Sequence, residues 1–199
     1  MGWIYDLVWA VSMKPFLIEH SRHMLRLCSL ALAILLGATA CSKETVAAGT
    51  AVAEPKEVTR AVAAEAQSLV EEAAFALQLK DYPRVVETLT KATKLRDDIP
   101  EWWVDLGATQ RRLNNLSDAK ACYKKALAIH ESRYDVTKNV AYLIPQFHIL
   151  LLLDREKDAR SLLEKSQQRH GNDIPFKEFV AARGIDALLE DPYVKENKI

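Results

Sequence analysis

The sequence predicts an all-α protein built from repeated helix pairs, and three observations carry that prediction. Ala, Leu, Glu, Lys and Arg dominate after residue 60, with few runs of strand-like alternation. Residues 80–92 (KDYPRVVETLTKA) overlay residues 114–126 (NNLSDAKACYKKA) at an offset of 34. Only six glycines are present, at 2, 37, 49, 107, 171 and 184, which excludes Gly-rich phosphate loops and dinucleotide fingerprints. With 49% hydrophobic and 27% charged residues the composition is globular, and a formal net charge of zero gives no electrostatic basis for binding nucleic acid.

Residues 1–40 read as a targeting segment. Leu27 to Leu36 (LCSLALAILL) is an uncharged apolar run of signal-peptide length. It falls short of the roughly 20 residues a bilayer-spanning helix needs. Arg22 and Arg26 precede it, Ala38-Thr39-Ala40 supply the small residues a signal peptidase accepts, and Cys41 follows at once. This arrangement resembles a bacterial lipobox, although Ala38 stands where Leu is commoner. The resemblance implies acylation of Cys41 and, because Ser42 rather than Asp follows it, an outer-membrane anchor facing the periplasm. The same small residues suit the ordinary secretory peptidase, which would leave a periplasmic protein with a free thiol. Residues 1–23 carry Trp3, Asp6, Trp9 and Glu19 and fit poorly as a basic leader, so translation is expected to start at Met24. With Cys28 removed and Cys41 acylated, only Cys122 remains, as a small core hydrophobe without a disulfide partner. Residues 41–58, small and polar with Gly49 and Pro55, form a flexible tether ahead of a helical domain at 59–199.

Within that domain the offset of 34 places Tyr82 on Leu116, Val85 on Ala119, Leu89 on Tyr123 and Ala92 on Ala126. Upstream, Leu69 falls on Trp103 and Ala73 on Gly107. The second copy, Trp103-x-x-Leu106-Gly107 followed by Ala119, Tyr123 and Ala126, resembles the tetratricopeptide repeat, whose period is about 34 residues. Gln110 replaces that family's usual Tyr, and Glu131 its closing Pro. The resemblance implies a right-handed α-solenoid of about three helix pairs (near 66–99, 100–133 and 134–172) closed by a capping helix at 173–190. Gly107, Ala119 and Ala126 would let paired helices approach closely, while Trp103, Leu106 and Tyr123 fill the space between pairs.

The third copy is longer. Val140-Ala141 lies 34 beyond Leu106-Gly107, yet Ala159 lies 40 beyond Ala119, so about six extra residues are expected in the first helix of that pair or its turn. Pro145 should kink that helix or restart it. The apolar run Ile149 to Leu153 should be buried, with a turn at Asp154–Lys157. Gly171 is expected to end the following helix in a left-handed conformation, and Asp173 to cap a single last helix with Pro175 in its first turn.

Signs of catalysis are absent. His130, His148 and His170 are far apart without metal-ligand spacing, so no metal or cofactor is expected. No G-x-S-x-G elbow occurs. Glu71-Glu72 and Asp97-Asp98 are adjacent pairs that do not face each other on a helix, and they read as solvated charges.

Function then rests on the groove that stacked helix pairs form. By resemblance the first pair lines it with Gln67, Val70, Ala74, Leu77 and Gln78. The second contributes Glu101, Val104, Ala108, Arg111 and Arg112. Val70, Ala74 and Asp105 occupy the places of the Lys/Asn carboxylate clamp used by chaperone-tail-binding relatives, which argues against that partner class. The expectation is a non-enzymatic, membrane-anchored adaptor that binds a protein or peptide. The alternative is a periplasmic protein recognising glycan or peptidoglycan through Trp102 and the groove. A third is a structural protein whose convex face or C-terminal helix makes the contact. Mass spectrometry of the unprocessed precursor should find Met24 at the amino terminus; a peptide spanning Met13 to Arg22 would overturn that start.

Overall fold

The computed structural model describes residues 56–199; the expected signal region, Cys41 and most of the tether lie outside them. The described residues are all-α, with nine helices and no strands. Three pairs come first: α1 (Arg60–Gln78) with α2 (Tyr82–Leu95), α3 (Pro100–Arg112) with α4 (Leu116–Thr137), and α5 (Val140–Leu152) with α6 (Glu156–His170). Each helix packs on the next, as expected of a helical repeat fold. Three short helices follow: α7 (Ile174–Ala181), α8 (Gly184–Glu190) and α9 (Pro192–Asn197).

Local chemistry explains most of the boundaries. Thr59 accepts a hydrogen bond from the Val62 N–H to start α1, Asp81 from Arg84 N–H to start α2, and Asn139 from Ala141 N–H to start α5. Pro83, Pro100, Pro175 and Pro192 sit in first turns, where a missing N–H costs nothing. The turn inside each pair is the same structure three times. Lys80, Asn114 and Asp154 adopt left-handed φ of 59°, 64° and 56°. The N–H of the following residue reaches back into the helix, from Asp81 to Ala76 O (2.9 Å), Asn115 to Gln110 O (2.9 Å) and Arg155 to Leu150 O (2.8 Å). Such closures satisfy carbonyls that a helix end would leave open.

Most positions aligned by the offset of 34 lie in the interior, although Leu69, Tyr82 and Trp103 are half-buried and Leu116 is exposed. Ala73, Val85, Leu89, Ala92, Leu106, Ala119, Tyr123 and Ala126 are all buried. The run Ile149 to Leu153 is buried throughout, as its composition requires. At Gly107 α3 and α4 approach closely. A Cβ there would stand 2.5 Å from Tyr123 Cε1 and 3.2 Å from Cys122 Cβ.

Four expectations need correction. The six extra residues lie at the end of α4, not in the helix that follows. Nothing in 116–137 is Gly or Pro, so α4 runs for 22 residues until Lys138 turns left-handed at φ 53°. The third pair is therefore offset by 40 throughout: Pro100 to Val140, Asn114 to Asp154, Leu116 to Glu156. Pro145 lies inside α5, which runs on from Val140 to Leu152 without restarting. Gly171 is right-handed (φ −57°, ψ −16°), and Asp173 holds the N-cap position of α7 without capping a backbone N–H. Its carboxylate instead lies 2.6 Å from His170 Nδ1, while His170 Nε2 lies 2.7 Å from Tyr134 Oη. Finally, the single capping helix is broken at Arg183 and Gly184, both with positive φ (70° and 49°), which a right-handed helix cannot accommodate.

Gly107→Ala should destabilise the domain by about 1–3 kcal/mol, because the buried Tyr123 ring has nowhere to go and overpacking outweighs the helix propensity gained. Urea unfolding followed by circular dichroism checks this; an unchanged midpoint would contradict the close approach.

Candidate functional site

The proposed groove is the face presented by the first helix of each pair, and the structure divides it in two. On α1 it is open. Gln67, Ala74 and Gln78 are exposed, Leu77 is 43% exposed, and Val70 is half-buried against the core of the first pair. On α3 it is largely covered. Glu101 stays exposed, Val104 packs on the main core, and Ala108 is buried. The pairing by register makes the contrast plain. Leu77 is open, Arg111 is half-buried, and their counterpart Leu151 is 1% exposed.

The cover is the chain's own carboxy-terminal segment. After the turn at Arg183, α8 packs on α5, and α9 packs on both α3 and α5. Arg111 Nε donates to Lys198 O at 2.9 Å, and Tyr123 Oη donates to Asn197 O at 3.0 Å. Ile199 N–H donates to Leu152 O at 3.0 Å. Arg112 lies 3.8 Å from the Glu196 carboxylate and over the Tyr82 ring, and Lys198 pairs with Asp154 at 2.6 Å. The His148 ring faces Tyr193, centroids 5.5 Å apart, and Val194 and Asn197 are fully buried. Arg111 and Arg112, expected to face a partner, therefore face residues 196–198. The sequence signal was present but local: Pro192 and Asp191 mark a new helix start, yet nothing local says where it docks.

Trp103 is half-buried against the core, and its indole N–H donates to Asp97 O at 3.0 Å. Trp102 is also half-buried, leaving only part of its ring for stacking against a ligand. Phe75 (56% exposed) and Leu79 (61%) were not anticipated. Their register counterparts Thr109, Ile149 and Leu153 are buried and Leu113 is half-buried, so the α1 face is more open than those of the later pairs.

The acidic pair Asp97-Asp98 is not simply solvated. Asp97 is half exposed, with Lys56 at 3.3 Å and Lys125 at 3.9 Å. Asp98 sits inside the turn between α2 and α3, where it takes a two-pronged contact from Arg96 (2.8 and 2.9 Å) and the Lys56 N–H (2.8 Å). Arg133, from α4, is 3.9 Å from the same carboxylate and also donates to the Asp98 carbonyl. Burial alone would raise the Asp98 carboxyl, but the bonds from Arg96 and Lys56 outweigh it and hold it at about 2. Glu72 of the other pair is bonded to Arg84 at 2.8 Å. Cys122 is buried, and that burial, with Asp118 nearby, pushes its thiol up to about 11, as suits a packing residue.

His130 is buried, its Nδ1 makes no hydrogen bond within the described residues, and Arg133 lies nearby. Burial first, then that guanidinium, pushes its pKa down to about 4. Among the described residues no group of three or more His, Cys, Asp or Glu is placed to hold a metal ion. No helix there is long and apolar enough to cross a membrane.

The fold thus defines an all-helical domain of stacked helix pairs whose first-helix face is open on α1 and covered by residues 191–199 on α3 and α5. Comparison with known proteins finds no family model that matches, no curated protein of similar sequence and no solved structure that matches.

Because His130 is held below the ordinary histidine value of about 6.5, the unfolded chain takes up that proton first. Stability should be complete above pH ~6.5 and fall as pH drops towards 4. The His130 share of the loss between pH 7 and pH 5 should be about 2 kcal/mol. Urea titrations of the unaltered chain and of His130→Phe at both pH values measure it; identical pH dependence in the two would refute the assignment.

Proposed function

We propose that this chain is a lipid-anchored adaptor of the bacterial cell envelope, whose helix pairs are of the tetratricopeptide type and whose groove holds a segment of a partner protein. The observation that carries the proposal is the open face of α1. Ala74, Leu77 and Gln78 expose a mixed apolar and polar strip on a rigid helix, beside a neighbouring strip that already holds a peptide segment. A mixed strip of this kind suits a peptide or helix read by a few apolar anchors. Cys41 supplies the anchor in this reading, at the outer membrane facing the periplasm, and the tether gives the domain reach. In this reading the groove binds its partner and does not catalyse.

Two measurements test the reading. Cys41→Ser should move the protein from the membrane fraction to the soluble periplasmic fraction. Ala74→Glu with Leu77→Glu, both at exposed positions, should leave the fold intact. The pair should also reduce recovery of a partner crosslinked in intact cells by tenfold or more. Undiminished crosslinking in that double variant would exclude the α1 face. Retention on purified sacculi that disappears in Trp102→Ala would favour glycan recognition instead.

A further inference from the structure

We propose that the α3–α5 part of the groove is a peptide site already occupied by residues 191–199, and that its external ligand is a short helical segment of a partner protein with the chemistry of α9, which enters by displacing it. The inference rests on the adaptor reading and adds what the partner looks like and what it must remove.

Three features of the segment support the proposal. First, it is held as a bound peptide is held. Its backbone carbonyls at Asn197 and Lys198 accept from the Tyr123 hydroxyl and the Arg111 guanidinium, and the Ile199 N–H donates to Leu152 O. Backbone contacts of this kind hold any chain of the right shape. Second, specificity comes from few side chains. Val194 and Asn197 are buried one turn apart, the Tyr193 ring meets His148, and Asp191 caps the turn by accepting from Tyr193 N–H at 2.7 Å. A ligand would therefore carry an Asp-Pro start, an aromatic followed by a β-branched residue, and a third buried residue three positions after the β-branched one. Third, the resident occupant is imperfect. Asn197 donates through Nδ2 to Tyr193 O at 2.9 Å, but its Oδ1 is buried without any hydrogen bond. A buried acceptor left unsatisfied is costly, and release of the segment into water removes that cost. A competitor with an apolar residue there avoids it altogether.

Electrostatics hold the segment loosely at its margins. Lys198 with Asp154 is a partly exposed pair, and Arg112 with Glu196 is 3.8 Å apart and open to solvent. Such pairs contribute little. Arg112, beside Glu196, also lies over the Tyr82 ring of α2, so the seat borders the first pair.

The test uses the full mature chain and a fluorescent synthetic peptide of residues 191–199. Fluorescence anisotropy should show the peptide binding Val194→Asp, in which α9 is unseated, at least tenfold more tightly than the unaltered chain. Adding Arg111→Ala should abolish that gain, and a peptide carrying Asn197→Leu should bind several-fold more tightly than the native sequence. No binding to a Val194→Asp protein that circular dichroism shows to be folded would overturn the proposal. Should that variant fail to fold, hydrogen exchange on the unaltered chain decides. Amides of 195–199 are expected to exchange at least tenfold faster than those of Ile149–Leu152, and equal protection would mark the segment as a permanent part of the core. Partner crosslinking in cells separates this inference from the adaptor reading. A partner recovered equally with the unaltered chain and folded Val194→Asp leaves the adaptor standing and overturns the displacement. No partner in either overturns the adaptor reading, while the peptide measurements still judge the site.

Discussion

The close approach of α3 and α4 around Tyr123 is the contact on which the rest of the structure depends. The missing Cβ at Gly107 leaves room for the Tyr123 ring, which is fully buried. A buried phenol needs a partner for its hydroxyl. It finds one in the Asn197 carbonyl, 74 residues further on. One side chain therefore sets the spacing inside the second pair and also anchors the carboxy terminus across the groove. Burial raises the Tyr123 hydroxyl well above its ordinary value, so it remains a donor at all accessible pH.

Around that contact the chain repeats one local solution. Each pair closes with a left-handed residue and a backward hydrogen bond, and the side chain is of a different type each time: Lys80, Asn114, Asp154. Only Asn and Asp are favoured there by local hydrogen bonding; Lys80 is held in place by the packing of α1 against α2. Tertiary burial here overrides the preference of a single residue.

Polar groups also join the pairs. Asp98, Arg96 and Arg133 tie the α2–α3 turn to α4, and Tyr134, His170 and Asp173 tie α4 to the start of α7. Each set brings together residues whose spacing in sequence, 35 residues for Arg133 and Asp98 and 36 for Tyr134 and His170, carries no local pattern. That is why Asp98, read as a solvated charge, became a half-buried anchor while Asp97 stayed half exposed.

The sequence by itself determined the helical class, the 34-residue pairing of the first two repeats, the small residues at Gly107, Ala119 and Ala126, and the burial of Ile149 to Leu153. All of these follow from short-range periodicity and side-chain volume, which survive in a linear string. Only the tertiary structure decided that α4 continues to Thr137, that α5 runs through Pro145, and that the carboxy terminus breaks at Arg183 and Gly184. It also decided that Arg111 faces Lys198 while Leu77 remains open. These depend on which surfaces meet after the chain folds back, and a hydrogen bond from Tyr123 to Asn197 is invisible until both ends of it share one place.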